Sequence, residues 1–176
     1  LNAHLPPDIR AVDIQPVPDS FHARYAAHAK TYHYYLLNAR VDDPFLFDTC
    51  HRIWPALDLA AMQAAAAKFV GTHDFSALCA SGSSAAAHGD TVRTITDCTV
   101  VQSGDLFTIS VTADGYLYNM VRILAGTLVQ AGLHKRTPDS IPPLLESRDR
   151  KQAGPTLPAK GLFLERGDYT GLDAIS

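Results

Sequence analysis

The chain has 176 residues, 47% of them hydrophobic and 19% charged, which is enough apolar material for one core and predicts a single globular domain over residues 1–176. The formal net charge of −3 argues against a protein that coats nucleic acid through its overall charge, although a local basic groove is compatible with it. No apolar run is long enough to span a bilayer and no secretion signal is evident, so we expect a soluble, cytoplasmic part of a longer protein.

Two strands are predicted in the first part of the chain. Residues 9–17, within a leading segment of residues 1–20, alternate apolar and polar side chains as a strand does. Residues 30–38 are rich in aromatic and β-branched side chains and have apolar groups on both faces. The second strand is therefore expected to be central in a sheet and covered on both sides.

A helix is predicted next, beginning at Asp58, which can cap its N-terminus. Gly71 stands where such a helix would stop. Its apolar face consists of Leu59, Met62, Ala66 and Phe69. The Ser-, Ala- and Gly-rich residues 80–89 then predict a mobile loop.

A hairpin and a second helix follow. Residues 91–102 and 106–114 have strand composition and are joined by a short glycine-containing loop, so we expect them to pair antiparallel. Gly132 can end the helix that comes after them. The apolar stripe of that helix is formed by Leu117, Val121, Leu124 and Leu128.

The last elements are a shorter helix near residues 142–147 and a closing strand over residues 161–166. Strands and helices interleave, with hairpins between strands. The chain is thus predicted to be an α+β domain whose mainly antiparallel sheet is covered by helices on one face.

Metal-ligand patterns are not evident in the sequence. Cys50, Cys79 and Cys98 are widely spaced, odd in number and without a C-x-x-C pair, which argues against a disulfide framework and structural zinc. The 8 histidines show no ligand spacing, and no glycine-rich phosphate loop is present. We therefore predict no metal site and interpret the cysteines as core residues.

A basic and aromatic stretch occupies residues 21–41, which contain no acidic side chain. Arginine and lysine bind phosphates, and an unstacked base can lie against an aromatic ring. The composition indicates an RNA-binding surface, with an aromatic-rich central strand and solvated flanks as the alternative. The cationic and aromatic residues are Phe21, His22, Arg24, Tyr25, His28, Lys30, Tyr32, His33, Tyr34, Tyr35 and Arg40.

Arg122 is the only charged residue between Tyr116 and Leu133. It follows the apolar stripe position Val121 by one residue and so lies about 100° around the helix from it. If Arg122 is exposed, water satisfies it, and if it is buried, it requires a carboxylate, because an unpaired buried charge costs several kcal/mol. No acidic residue is placed by the sequence to be that partner.

Seven segments of this sequence resemble the tRNA pseudouridine synthase A family, in the family's order and over nearly the whole chain. So many matches in sequence are far more specific than any one of them. The segments are Leu1-Asn2-Ala3-His4-Leu5-Pro6, Phe21-His22-Ala23-Arg24, Lys30-Thr31-Tyr32-His33-Tyr34, Gly71-Thr72-His73-Asp74-Phe75, Thr91-Val92-Arg93, Gly115-Tyr116-Leu117-Tyr118-Asn119-Met120-Val121-Arg122, and Ala153-Gly154-Pro155-Thr156 to Gly161-Leu162.

The resemblance implies a function and a set of site residues. The family isomerises uridines in the anticodon stem-loop of tRNA, uses no metal or organic cofactor, and acts as a homodimer. Resemblance places Tyr32 at the tyrosine that stacks on the target base and Arg122 at the basic residue that pairs with the catalytic aspartate. It further suggests that Arg24 and Lys30 contact the tRNA backbone.

The family's nucleophilic aspartate lies in a G-R-T-D-x-G-V-H motif upstream of the segment that here begins at Leu1. None of the aspartates in this sequence lies in such a motif. We therefore expect a fragment that is inactive alone, with an electropositive, incomplete pocket in which Arg122 lacks its natural partner. A non-catalytic RNA-binding module and a dimerisation module are the alternatives.

Overall fold

A computed structural model of the protein describes residues 1–80 and 89–169. Most of the predicted loop at residues 80–89 lies outside the described residues. Within them, no helix is long and apolar enough to cross a membrane. The strands and helices described are β1 (Ala27–Leu37), β2 (His51–Arg52), α1 (Leu59–Ala67), β3 (Gly71–Asp74), β4 (Val92–Ser103), β5 (Leu106–Ala113), α2 (Met120–Gly132), α3 (Ile141–Ser147) and β6 (Leu162–Tyr169).

The strands form one sheet in the order β2-β1-β5-β4-β3, with β6 paired to β1 on the edge opposite β5. β1 and β2 are parallel, and the other pairs are antiparallel. Tyr34 of β1 lies between Ile109 of β5 and Leu162 of β6, so β1 is central as predicted. The predicted α+β fold with a mainly antiparallel sheet is confirmed.

The two faces of the sheet differ in polarity. Phe107, Ile109 and Val111 of β5 alternate with half-buried neighbours and are fully buried, in one core cluster with residues of α1 and α2. On the other face of β1, His33 and Tyr35 are half-buried, whereas Thr31 and Leu37 are buried. The helices therefore cover one face, as predicted, and the opposite face of β1 is covered only in part.

Local sequence signals located the start of α1 at Asp58 and the end of α2 at Gly132. Asp58 caps α1 as predicted, accepting a hydrogen bond of 3.0 Å from the Ala61 backbone N–H. α1 ends at Ala67, before Gly71, which instead opens the unpredicted strand β3 with a φ of 122°. α2 begins at Met120, because the preceding Asn119 adopts the left-handed conformation.

The predicted strand over residues 9–17 is wrong, since these residues form no strand in the structure. Ile9, Val12 and Ile14 are exposed, so the alternating apolar residues lie against no core. Pro16 has no backbone N–H to donate to a ladder. The alternating pattern alone therefore did not predict the structure of this segment, because a strand also requires a neighbouring strand whose backbone it can pair with.

Candidate functional site

A cleft of about 540 Å³ opens where the start of β1 meets the end of β6. The structure brings three predicted site residues, Arg24, Lys30 and Tyr32, together in its wall. Among the described lining residues there is no carboxylate. The lining residues are Ala23, Arg24, Lys30, Tyr32, Tyr116, Leu164, Gly167 and Tyr169.

Tyr32 projects from β1 toward the helix-covered face and is held by a second tyrosine. Its ring meets that of Tyr116 edge-on, with centroids 5.0 Å apart and an interplanar angle of 86°. The Tyr116 hydroxyl lies 2.8 Å from the carbonyl oxygen of Lys30 and 2.7 Å from that of Val111, and its single proton can be donated to either. Tyr116 thus fixes one flank of the half-buried Tyr32 ring.

Burial, reinforced by the neighbouring Tyr32, raises the pKa of the Tyr116 hydroxyl well above its usual range. The hydroxyl therefore stays protonated near neutral pH. It serves as a neutral donor to the backbone of β1 or β5 and brings no negative charge into a cleft whose charged lining residues are cations.

The cationic rim of the cleft is tied to the sheet by backbone contacts. Lys30 Nζ donates to the carbonyl of Arg24 over 3.0 Å, and the Tyr169 hydroxyl donates to the carbonyl of Ala23 over 2.8 Å. The Arg24 guanidinium lies 5.6 Å from the centroid of the Tyr25 ring. These contacts hold two positive groups beside a half-buried aromatic ring.

Arg122 is not among the cleft's lining residues and lies on α2, where two neutral oxygens anchor it. Nε donates to the Leu157 carbonyl over 2.6 Å, and Nη1 donates to Asn119 Oδ1 over 2.9 Å. The Leu157 backbone N–H donates to the Arg122 carbonyl over 3.3 Å. In the described part of the chain, no carboxylate lies within ion-pair distance of Arg122.

Tyr34 lies on the same strand as Tyr32 and near the Arg122 site. It is fully buried on the same face of β1 as Tyr32, two residues further along, and its hydroxyl donates to the Pro158 carbonyl over 2.7 Å. Burial raises the pKa of Tyr34, while the positive charge of Arg122 acts in the opposite direction. Tyr34 and Arg122 donate to the adjacent carbonyls of Pro158 and Leu157, so the guanidinium lies near Tyr34 on the segment that follows Gly154.

A close contact between two glycines brings the chain of Leu157 against α2. A Cβ on Gly126 would lie 2.0 Å from the Pro155 carbonyl oxygen, and one on Gly154 would lie 2.4 Å from the Gly126 carbonyl carbon. The Gly154 N–H donates to the Thr127 hydroxyl oxygen over 3.0 Å. Glycine at both positions allows the two backbones to touch, and the Leu157 carbonyl thereby reaches Arg122.

Three residues of this region were not predicted from the sequence: Tyr116, Tyr169 and Asn119. The two tyrosines reach the cleft through sheet pairing and backbone contacts that no local pattern reveals. The contact of Asn119 with Arg122 could have been predicted, because residues three apart are neighbours on a helix and asparagine tolerates the left-handed backbone that precedes one. Over residues 1–80 and 89–169, no group of three or more His, Cys, Asp or Glu side chains could hold a metal ion.

Comparison with known proteins identifies relatives of the chain. A "tRNA pseudouridine synthase A" from Thermoanaerobacter sp. (strain X514) is 45% identical over 164 residues, which are 93% of this chain and 66% of the relative. Proteins of the same name from Acetivibrio thermocellus and Moorella thermoacetica are 45% and 44% identical, over 93% and 96% of this chain and 66% and 68% of their own lengths. The chain thus spans about two thirds of the length of these curated relatives.

A family model described as tRNA pseudouridine synthase matches residues 65–170, a range that includes α2 with Arg122 and the glycine contact beneath it. Together with the identities above, this match shows that the chain belongs to the tRNA pseudouridine synthase family.

Proposed function

We propose that this chain forms the base-binding and arginine-bearing part of an enzyme that converts uridine to pseudouridine in tRNA. In this isomerisation the bond from N1 of uracil to C1′ of the ribose breaks and a bond from C5 to C1′ forms. The C5 proton is lost to solvent, and N1 gains a proton. The names of the relatives support tRNA as the substrate.

The observation that carries the proposal is the cleft where Arg24, Lys30 and Tyr32 meet. A uridine must leave its stack to react, and a flipped base is held by stacking on a flat ring. We propose that Tyr32 provides that ring and that Arg24 and Lys30 bind the flanking phosphates. The absence of carboxylates among the described lining residues supports an anionic ligand.

Arg122 is assigned the electrostatic part of the reaction. A guanidinium with two N–H groups on neutral oxygens keeps its full positive charge and has further donors for an anion. We propose that it pairs with the nucleophilic aspartate of the family, which a guanidinium would keep ionised. The upstream motif that holds this aspartate is not in the present sequence, and we therefore propose that the chain is inactive alone.

The resemblance to the family supports three narrower proposals. The target uridines lie in the anticodon stem-loop, the enzyme is a homodimer, and it works in the cytoplasm. Size-exclusion chromatography with light scattering would test dimerisation, and a strict monomer at high concentration would count against it.

Two assays on the purified chain test the proposed function. Fluorescence anisotropy with a labelled anticodon stem-loop should show binding that weakens about tenfold or more in Tyr32→Ala, since stacking contributes roughly 1–3 kcal/mol per base. Arg10→Ala, an exposed arginine outside the cleft, is the control and should bind like wild type. Equal binding by Tyr32→Ala and wild type would refute the role of the cleft.

The second assay is the release of tritium from tRNA labelled at C5 of uridine, which accompanies formation of the C5–C1′ bond. The chain alone should release none. Efficient release by the chain alone would contradict the assignment of the nucleophile to an upstream segment. Binding by the chain, without release by any longer form of the protein, would favour a non-catalytic RNA-binding module instead.

A further inference from the structure

We propose that Asn119 is a positioning residue that holds the Arg122 guanidinium in one orientation without neutralising it. The observation behind this is the hydrogen bond of 2.9 Å from Arg122 Nη1 to Asn119 Oδ1, which complements the bond of 2.6 Å from Nε to the Leu157 carbonyl. Two oxygens on two segments fix the plane of the guanidinium. The inference rests on the function proposed above only for the identity of the anion that Arg122 meets.

Asn119 stands at a position where its side chain could have served the helix instead. It is the residue before the first turn of α2, and asparagine there usually caps a helix by accepting from a backbone N–H. Here its side chain accepts from no backbone N–H of that turn among the described residues, and its oxygen is bonded to Arg122. The Asn119 side chain thus accepts a hydrogen bond from Arg122 in place of capping α2.

The backbone of Asn119 explains why few residues could replace it. Its φ of 60° and ψ of 12° lie in the left-handed region, which costs most L-residues roughly 1–2 kcal/mol. Glycine, asparagine and aspartate tolerate this region best. Of these, only asparagine and aspartate carry a side-chain oxygen, so the site admits either a neutral or an anionic acceptor.

The neutral acceptor has an electrostatic consequence. An aspartate at position 119 would pair with Arg122 and cancel the charge that an external anion is to meet. Asparagine offers an oxygen acceptor at the same distance without a charge. Arg122 is therefore oriented by its own chain and remains fully cationic toward a partner, whether carboxylate or phosphate.

Nuclear magnetic resonance on the purified chain tests the positioning directly. In Asn119→Gly the backbone strain is relieved and only the side-chain contact is lost. Exchange of the Arg122 Nη1–H protons with water should accelerate about tenfold, as expected for loss of one hydrogen bond to a charged group, while the Nε–H, which donates to the Leu157 carbonyl, should change less. His134→Gly is the matched control, since His134 also has a left-handed φ, of 55°, and should leave the Arg122 signal unchanged.

The isosteric variant Asn119→Asp tests the geometry in a second way. The introduced carboxyl should titrate at least about one pH unit below an ordinary aspartate, because a guanidinium lies beside it. An ordinary titration in Asn119→Asp, or unchanged Nη1–H exchange in a folded Asn119→Gly, would overturn the proposal. Both readouts are independent of pseudouridine formation, so they also decide it if the chain has another function.

Activity adds a readout that a merely structural role would not move. In a form of the protein extended upstream to the length of its relatives, Asn119→Asp should lower kcat about tenfold or more while KM for tRNA stays unchanged. The acid limb of its pH profile should shift upward, because a negative charge near an anionic group raises that group's pKa. Unchanged kcat in Asn119→Asp would contradict the proposal, whereas an inactive wild type would contradict the proposed function alone.

Discussion

Replacing Gly126 with alanine should damage the packing of the chain that carries Leu157 against α2. The new Cβ would lie 2.0 Å from the carbonyl oxygen of Pro155, whereas ordinary contacts begin at 3.4 Å. The obstacle is backbone and cannot rotate away, so the chain at Pro155 must move by more than an ångström. Overpacking of this kind costs about 1–3 kcal/mol, or occasionally more. Alanine regains about 1 kcal/mol of helix propensity, and because a clash with backbone lies at the upper end of the overpacking range, we expect a net loss of about 2 kcal/mol.

Urea denaturation followed by circular dichroism measures this loss in the free energy of unfolding. Gly132→Ala is the matched control in the same helix. Its Cβ would lie 2.8 Å from Cγ of Met62, a flexible side chain that can change rotamer, so the loss should be smaller. If Gly126→Ala is as stable as wild type, or less affected than Gly132→Ala, the close contact between α2 and the Gly154 chain is refuted.

Three further predictions concern stability, each measured by urea denaturation. Tyr116→Phe should lower the free energy of unfolding by about 1 kcal/mol through loss of one buried hydrogen bond, and an unchanged value would contradict the contact of this hydroxyl with the backbone of β1 or β5. Asp58→Ala should cost about 1 kcal/mol through loss of the α1 cap, and a neutral effect would argue against that cap. Burial alone would raise the pKa of Asp74, but hydrogen bonds from Ser76 and Thr91 and the charge of Arg148 lower it. The contribution of the ionised Asp74 to the free energy of unfolding is thus present above the usual aspartate pKa of about 3.9 and is lost as pH falls through the lower folded pKa. The stability of Asp74→Asn should therefore fall less steeply than that of wild type between about pH 5 and pH 2. An equally steep fall in the variant would contradict this.

The elements that depend on nearby residues could be predicted from the sequence. The β4–β5 hairpin follows from two strand-like runs and a short loop, and Val121, Leu124 and Leu128 of the predicted apolar stripe are buried on α2. Pairing between distant segments could not be predicted. Residues 9–17 have the pattern of a strand but no paired neighbour in the structure, and β2 is too short, at two residues, to show any pattern.

The candidate site divides in the same way. Arg24 lies just before β1 and Lys30 and Tyr32 lie within it, close in sequence, so the composition of this stretch could predict that they share a cleft. Tyr169 arrives through β6, which pairs with β1 across more than a hundred residues of sequence. The acceptor of Arg122 on Leu157 is a backbone carbonyl, which every residue has and no side-chain pattern marks.

The central claim is that Arg122 serves the chemistry of uridine isomerisation and not the binding of tRNA alone. Tritium release from C5-labelled tRNA by the upstream-extended protein, compared between wild type and Arg122→Ala, tests it most directly. The account predicts release by wild type and at least about a hundredfold less by Arg122→Ala, the scale seen when an electrostatic contact to the reacting groups is removed, with tRNA affinity retained. Release that falls only in proportion to lost tRNA binding would contradict the claim.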